Sequence, residues 1–114
     1  MLRVDSKPRI LMYSHDSYGL GHLRRTLALA KAFVEYDPGL GVLILTGSTV
    51  SGAFRMPQGI DIVKLPAAVR DSNGVYKPGR LPITFEHVRK LRSCLILNAA
   101  ESFGPHAFIV DKAP

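Results

Sequence analysis

Arg9-Ile10-Leu11-Met12-Tyr13-Ser14-His15-Asp16-Ser17-Tyr18-Gly19-Leu20-Gly21-His22-Leu23-Arg24-Arg25 opens on a short apolar run, passes through two glycines and closes on a histidine followed by two arginines. Ile10, Leu11 and Met12 predict a buried strand, and Gly19 and Gly21 let the backbone turn tightly and let a ligand come close to it. Beyond the glycines, Leu23, Leu27, Ala30 and Val34 recur at helical spacing until Asp37-Pro38-Gly39, a strong breaker. His22 therefore stands at a helix start. Unpaired backbone N–H groups and the positive end of the helix dipole favour an anion there, so a phosphate or a developing oxyanion would be stabilised beside the imidazole.

Working outward, the same alternation repeats. Val42 to Leu45 is an apolar run with Gly39 and Gly41 before it and Gly47 after it, which predicts a strand buried on both faces. Residues 48–55 have room for a short helix. Asp61 to Leu65 predicts a third strand near an edge, ended by Pro66. From Arg70 to Pro82 the chain is polar, with Asp71-Ser72-Asn73-Gly74 and Lys77-Pro78-Gly79, and a long loop with a partly exposed Tyr76 is expected, mobile or ordered only by ligand. A second helix is expected from Ile83 to about Phe103, with Phe85, Val88, Leu91, Leu95 and Ala99 as its buried stripe. Gly104-Pro105 ends it, and His106 to Val110 predicts a fourth strand leading into Asp111. Strands alternating with helices define an α/β fold of the Rossmann-like, doubly wound kind, a parallel sheet with helices on both faces. Its ligands bind beyond the carboxyl ends of the strands, where His15, Asp16, Ser48, Thr49 and Asp111 would face one crevice. Residues 1–8 are expected to be a flexible N-terminus and 9–114 a single domain. The end at Pro114, just past the last strand, points to an amino-terminal fragment or to a sheet that a partner completes.

Composition narrows the class. The chain has 114 residues, 46% of them hydrophobic and 21% charged, enough for one modest core. No apolar run approaches the roughly 18 residues of a membrane span, and no secretory signal opens the chain, so a cytoplasmic location is expected. The single cysteine, Cys94, falls on the apolar side of the second helix, which predicts a buried, unreactive thiol. Fifteen Lys and Arg against nine Asp and Glu give a net charge of +6, which attracts anionic partners. The basic residues are scattered, with no interleaved aromatic platform, and this argues against nucleic acid.

Known phosphate chemistries fit the glycine loop poorly. Gly19-Leu20-Gly21 begins like a dinucleotide fingerprint, but Arg24 stands at the third small position and no acidic residue ends the second strand. No Gly-Lys-Ser or Gly-Lys-Thr follows the turn, which excludes a P-loop, and Leu65-Pro66 replaces the aspartate of a phosphoryl-relay receiver. His15, His22, His87 and His106 lack metal-ligand spacing, so neither metal nor cofactor is expected. What remains is His22 and Arg25, three apart and on one side of the first helical turn. A neutral imidazole there would accept a proton from a hydroxyl or water, while the arginine holds an anionic group. The plainer alternative is that His22 only begins the helix and Arg25 is a solvated charge. His15 and Asp16 either line the crevice or, in the case of Asp16, order the loop through backbone amides. Asp111 reads as the cap of a following helix rather than as a ligand. His87 and His106 are assigned to solvent and to the start of the last strand.

The run His15 to Arg25, with Lys64-Leu65-Pro66 and the ending Val110-Asp111-Lys112-Ala113-Pro114, resembles the amino-terminal part of a group of bacterial glycosyltransferases. These are related to the lipid-linked N-acetylglucosaminyltransferase of peptidoglycan synthesis, in glycosyltransferase family 28. The resemblance covers the chain from Arg9 onward, and its motif G-x-G-H-x-x-R is shared with sugar-nucleotide hydrolases. It implies a two-domain GT-B type architecture of which this chain is the acceptor-side domain, incomplete, with the carboxyl-terminal donor domain absent. It further implies His22 as the base that deprotonates an acceptor hydroxyl, Gly19 and Gly21 as points of close backbone approach, and Arg25 as a steadying cation. The implied partners are a nucleotide-sugar donor and a hydroxyl acceptor, with peripheral contact to a membrane surface as an extension of the basic charge. A nucleotide-sugar hydrolase or epimerase relative, and a non-enzymatic anion-binding module, stand as alternatives.

Overall fold

Side chains alternate across a strand, so Ile10 and Met12 of strand β1 (Arg9–Ser14) enter one core while Leu11 and Tyr13 enter another. A computed structural model of the chain describes residues 7–14, 21–48 and 55–111. After β1 come helix α1 (Gly21–Tyr36), strands β2 (Gly41–Thr46) and β3 (Ile60–Lys64), a two-stranded hairpin of β4 (Ala68–Arg70) and β5 (Tyr76–Pro78), helix α2 (Phe85–Phe103) and strand β6 (Ala107–Val110). The main sheet has the order β3-β2-β1-β6 and is parallel throughout. This is an α/β architecture consistent with a Rossmann-like fold. The short helix expected over 48–55 falls largely outside the described residues, as does most of the 1–8 segment.

The first core joins Ile10, Met12, Val42 and Ile44 of the sheet to Leu23, Leu27 and Ala30 of α1. The second joins Leu11, Leu45 and Leu65 to Ile96, Ala99, Ala100 and Phe103 of α2. The strand positions and α1 follow the sequence expectation within a residue or two, because continuous apolar runs bounded by glycine and proline leave few other readings.

Two expectations are corrected. The polar stretch after Arg70 is not a structureless loop but the turn of the β4–β5 hairpin, in which Ala68 pairs with Pro78, Val69 with Lys77 and Arg70 with Tyr76. Asp71 builds the turn. Its carboxylate accepts from the Asn73 and Val75 amides at 2.9 Å each, and its own N–H donates to the Val75 carbonyl. Aspartate, asparagine and glycine mark tight turns for this reason, and such a cluster can close a hairpin as readily as fill a loop. Gly79 donates to the Ala67 carbonyl at 2.8 Å, and a Cβ there would lie 2.7 Å from the Ala67 Cβ, so the returning strand docks where no side chain fits. Tyr76 is half-buried and stacks on Phe85, with ring centroids 5.9 Å apart.

The second correction concerns the setting of α2. Thr84 caps it, its hydroxyl accepting from the His87 amide, and Gly104 ends it in the left-handed conformation at φ 63°. Val88, Arg92, Ile96, Ala99, Ala100 and Phe103 face inward, whereas Leu91 and Leu95 are 37% and 36% exposed. Cys94, expected buried, is exposed. The helix is rotated relative to the predicted stripe because an arginine occupies an inward position. Apolar residues on several sides of the helix left its rotation ambiguous, and the partners of Arg92 decide it.

Candidate functional site

The strand order reverses at β1. The chain passes from β1 outward through β2 to β3, then returns to place β6 on the other side of β1. Loops leaving two such neighbouring strands diverge in opposite directions, and the crevice between them is where ligands bind in open parallel sheets. His22, second residue of α1, follows β1, and Asp111 follows β6. The Asp111 amide donates to the Tyr13 carbonyl at 2.9 Å, continuing the β1–β6 ladder by one bond and setting the carboxylate at the carboxyl end of β6.

There the carboxylate collects two partners. His22 Nδ1 lies 2.7 Å from Asp111 Oδ2, and Arg25 Nη2 donates to Asp111 Oδ1 at 2.7 Å. The side chains are 28% exposed for His22, 14% for Asp111 and 63% for Arg25, so the pair is partly desolvated while the arginine reaches water. An ionised carboxylate only accepts hydrogen bonds, so the imidazole proton that meets Asp111 is assigned to Nδ1. Arg25 Nη2 also comes within 3.1 Å of His22 Nδ1, which with that proton in place is an approach of two donors gathered on one carboxylate. Both Asp111 oxygens are engaged, fixing its plane, and through it the ring of His22.

Of the residues singled out in the sequence, His22 and Arg25 come together as their spacing predicts. Gly21 is the first residue of α1, and among the described residues a Cβ on it would meet nothing within 4 Å. His15, Asp16 and Gly19 lie outside the described residues, as does Thr49. Ser48 donates its amide to the Thr46 hydroxyl at 3.1 Å, an arrangement local to the end of β2. Ser14, at the end of β1, has a fully buried hydroxyl with no hydrogen-bond partner among the described residues. His87 is exposed, and His106 accepts the Arg9 amide at 3.1 Å, at the opposite end of the sheet from the crevice.

The sequence places Asp111 after the last strand and so in the same crevice, but its role there is read as the cap of a following helix, whereas it bonds to His22 and Arg25. Reading that role needs the knowledge that β6 pairs with β1. Among the described residues no group of three or more His, Cys, Asp and Glu is placed to hold a metal ion. A shallow depression of about 470 Å³, lined by Leu43, Met56, Ile60 and Phe103 among others, lies at the amino-terminal ends of β2 and β3, away from the His22 cluster. No described helix is long and apolar enough to cross a membrane. Compared with known proteins, the chain matches no family model, no curated protein and no solved structure.

Proposed function

We propose that this chain is the acceptor-side part of a GT-B type glycosyltransferase, moving a sugar from a nucleotide-sugar to a hydroxyl, with His22 as the base. The observation that carries the reading is the 2.7 Å contact of His22 Nδ1 with Asp111 at the point where the strand order reverses. A histidine whose Nδ1–H is held by a carboxylate presents Nε2 as a proton acceptor, and the carboxylate stabilises the imidazolium that forms. In the reaction the acceptor hydroxyl gives its proton to Nε2 as its oxygen bonds to the anomeric carbon, and the bond from that carbon to the nucleoside diphosphate breaks. The exposed end of Arg25 and the amino terminus of α1 supply positive potential for an anionic group. The resemblance of Gly19 to Arg25 to the family 28 motif supports the sugar-nucleotide reading. Peripheral contact with an anionic membrane surface rests on the net charge of +6.

The same pair would activate water equally well, so nucleotide-sugar hydrolysis is the second reading, and product analysis separates the two as glycoside or free sugar. The test is turnover of a nucleotide-sugar with a hydroxyl acceptor by this chain joined to a donor-binding domain. His22→Ala is expected to lower the rate by about 10²–10⁴-fold with the fold unchanged by circular dichroism. A near-normal rate would remove the base assignment. The isolated chain is expected to give little or no product.

A further inference from the structure

We infer that Arg92 is a positioning residue for the His22–Asp111 pair, acting through Tyr13; the inference rests on the reading of that pair given above. Arg92 projects from the middle of α2 into the sheet and is only 8% exposed. Burying a guanidinium is costly unless its N–H groups are satisfied, and two of its bonds reach different parts of the fold. Nη1 donates to the Pro66 carbonyl at 2.5 Å, just beyond β3, and Nη2 donates to the Tyr13 hydroxyl at 2.8 Å. The planar fork of arginine makes this a stiff brace between the segment after β3 and the end of β1.

Tyr13 joins the two, accepting from Arg92 through its hydroxyl and from the Asp111 amide through its carbonyl. Its ring lies on the α2 side of the sheet, while its carbonyl, 2.9 Å from the Asp111 amide, sets the start of the chain leaving β6. Asp111 in turn holds His22 at 2.7 Å. A continuous series of bonds therefore runs from Pro66 through Arg92, Tyr13 and Asp111 to His22, crossing from one face of the sheet to the other. Groups that hold a base in place need their own supports, because a displacement of about 1 Å is enough to spoil its alignment. Arg92 supplies such a support without touching the reacting groups.

The readout is the tautomer of His22, measured from imidazole ¹⁵N shifts of the labelled chain. The wild type should show the Nδ1–H form, and Asp111→Ala should lower the tautomer ratio by about tenfold, the effect of losing a charge-assisted hydrogen bond. Tyr13→Phe and Arg92→Met should each lower it by about threefold, the effect of weakening one such bond, and Arg92→Lys should recover part of the loss. Val88→Ala, a second buried substitution on α2, should leave the ratio at the wild-type value. If Asp111→Ala shifts the ratio while Tyr13→Phe and Arg92→Met leave it unchanged, the brace is refuted and the pair stands. If Asp111→Ala has no effect, the pair itself is refuted. If Arg92→Met does not fold, Tyr13→Phe, which keeps the ring, decides. An equal shift from Val88→Ala would assign the effect to general loosening of α2 and overturn the inference.

Discussion

On the α1 side of the sheet, Ile10, Met12, Val42 and Ile44 meet Leu23, Leu27 and Ala30, a contact built from apolar groups; on the α2 side, Leu11, Leu45 and Leu65 meet Ile96, Ala99 and Phe103 beside the guanidinium of Arg92. The first face is organised by periodicity alone, since burial of hydrocarbon has no directional requirement. The second is organised partly by hydrogen bonds, whose donors and acceptors must meet at fixed places, and this turns α2 away from the stripe that its leucines suggest.

The strongest way to break the contrast is to cut each core at its centre. Ile44→Ala and Leu11→Ala remove fully buried side chains from opposite faces and are each expected to destabilise the chain by about 2–5 kcal/mol in urea unfolding. A cost near zero on the α2 face would mean that its packing is not formed. Next in size, Arg92→Ala strands the Tyr13 hydroxyl and the Pro66 carbonyl and should cost about 1–3 kcal/mol, whereas Arg92→Met, which refills the volume, should cost less. Equal losses would show that the hydrogen bonds, absent from both variants, fix α2, whereas full recovery in Arg92→Met would show that packing does. Thr84→Ala removes the α2 cap and should cost about 1 kcal/mol, with amide exchange rising in the first turn of α2 and not in α1.

The smallest effect is expected at the hairpin. The amide of Val75, then that of Asn73 and the nearby Lys77 ammonium, hold the Asp71 carboxyl below its ordinary value. A carboxyl whose folded value is depressed contributes stability above its unfolded value of about 3.9 and loses it as pH falls through the folded value. The Val75 and Asn73 amide resonances should therefore hold steady from neutral pH down to about 4 and move only below that. Asp71→Asn, which keeps an acceptor but no charge, should abolish this dependence. A transition at or above the ordinary carboxylate range would refute the assignment.

The same contrast explains what could be read in advance. Ile10 to Met12, Val42 to Leu45 and the Leu23, Leu27, Ala30 series announce their elements because local pattern decides them. Arg92 could not be placed inside from its own neighbourhood, because its burial depends on Pro66 and Tyr13, residues 26 and 79 positions away in the chain. The site divides similarly. His22 and Arg25 belong to one helical turn and were legible together, while the partner that orients them, Asp111, is 89 residues from His22 and becomes adjacent only through the pairing of β6 with β1.

At Gly79, the place where the hairpin returns against Ala67 has a consequence for how this chain can vary. Even alanine would bring its methyl to 2.7 Å from the neighbouring methyl, so a library randomised at that codon should return glycine almost alone unless residue 67 is reduced in the same clone. The hairpin is thus bolted at a point that tolerates no bulk, and compensating changes would have to arrive in pairs.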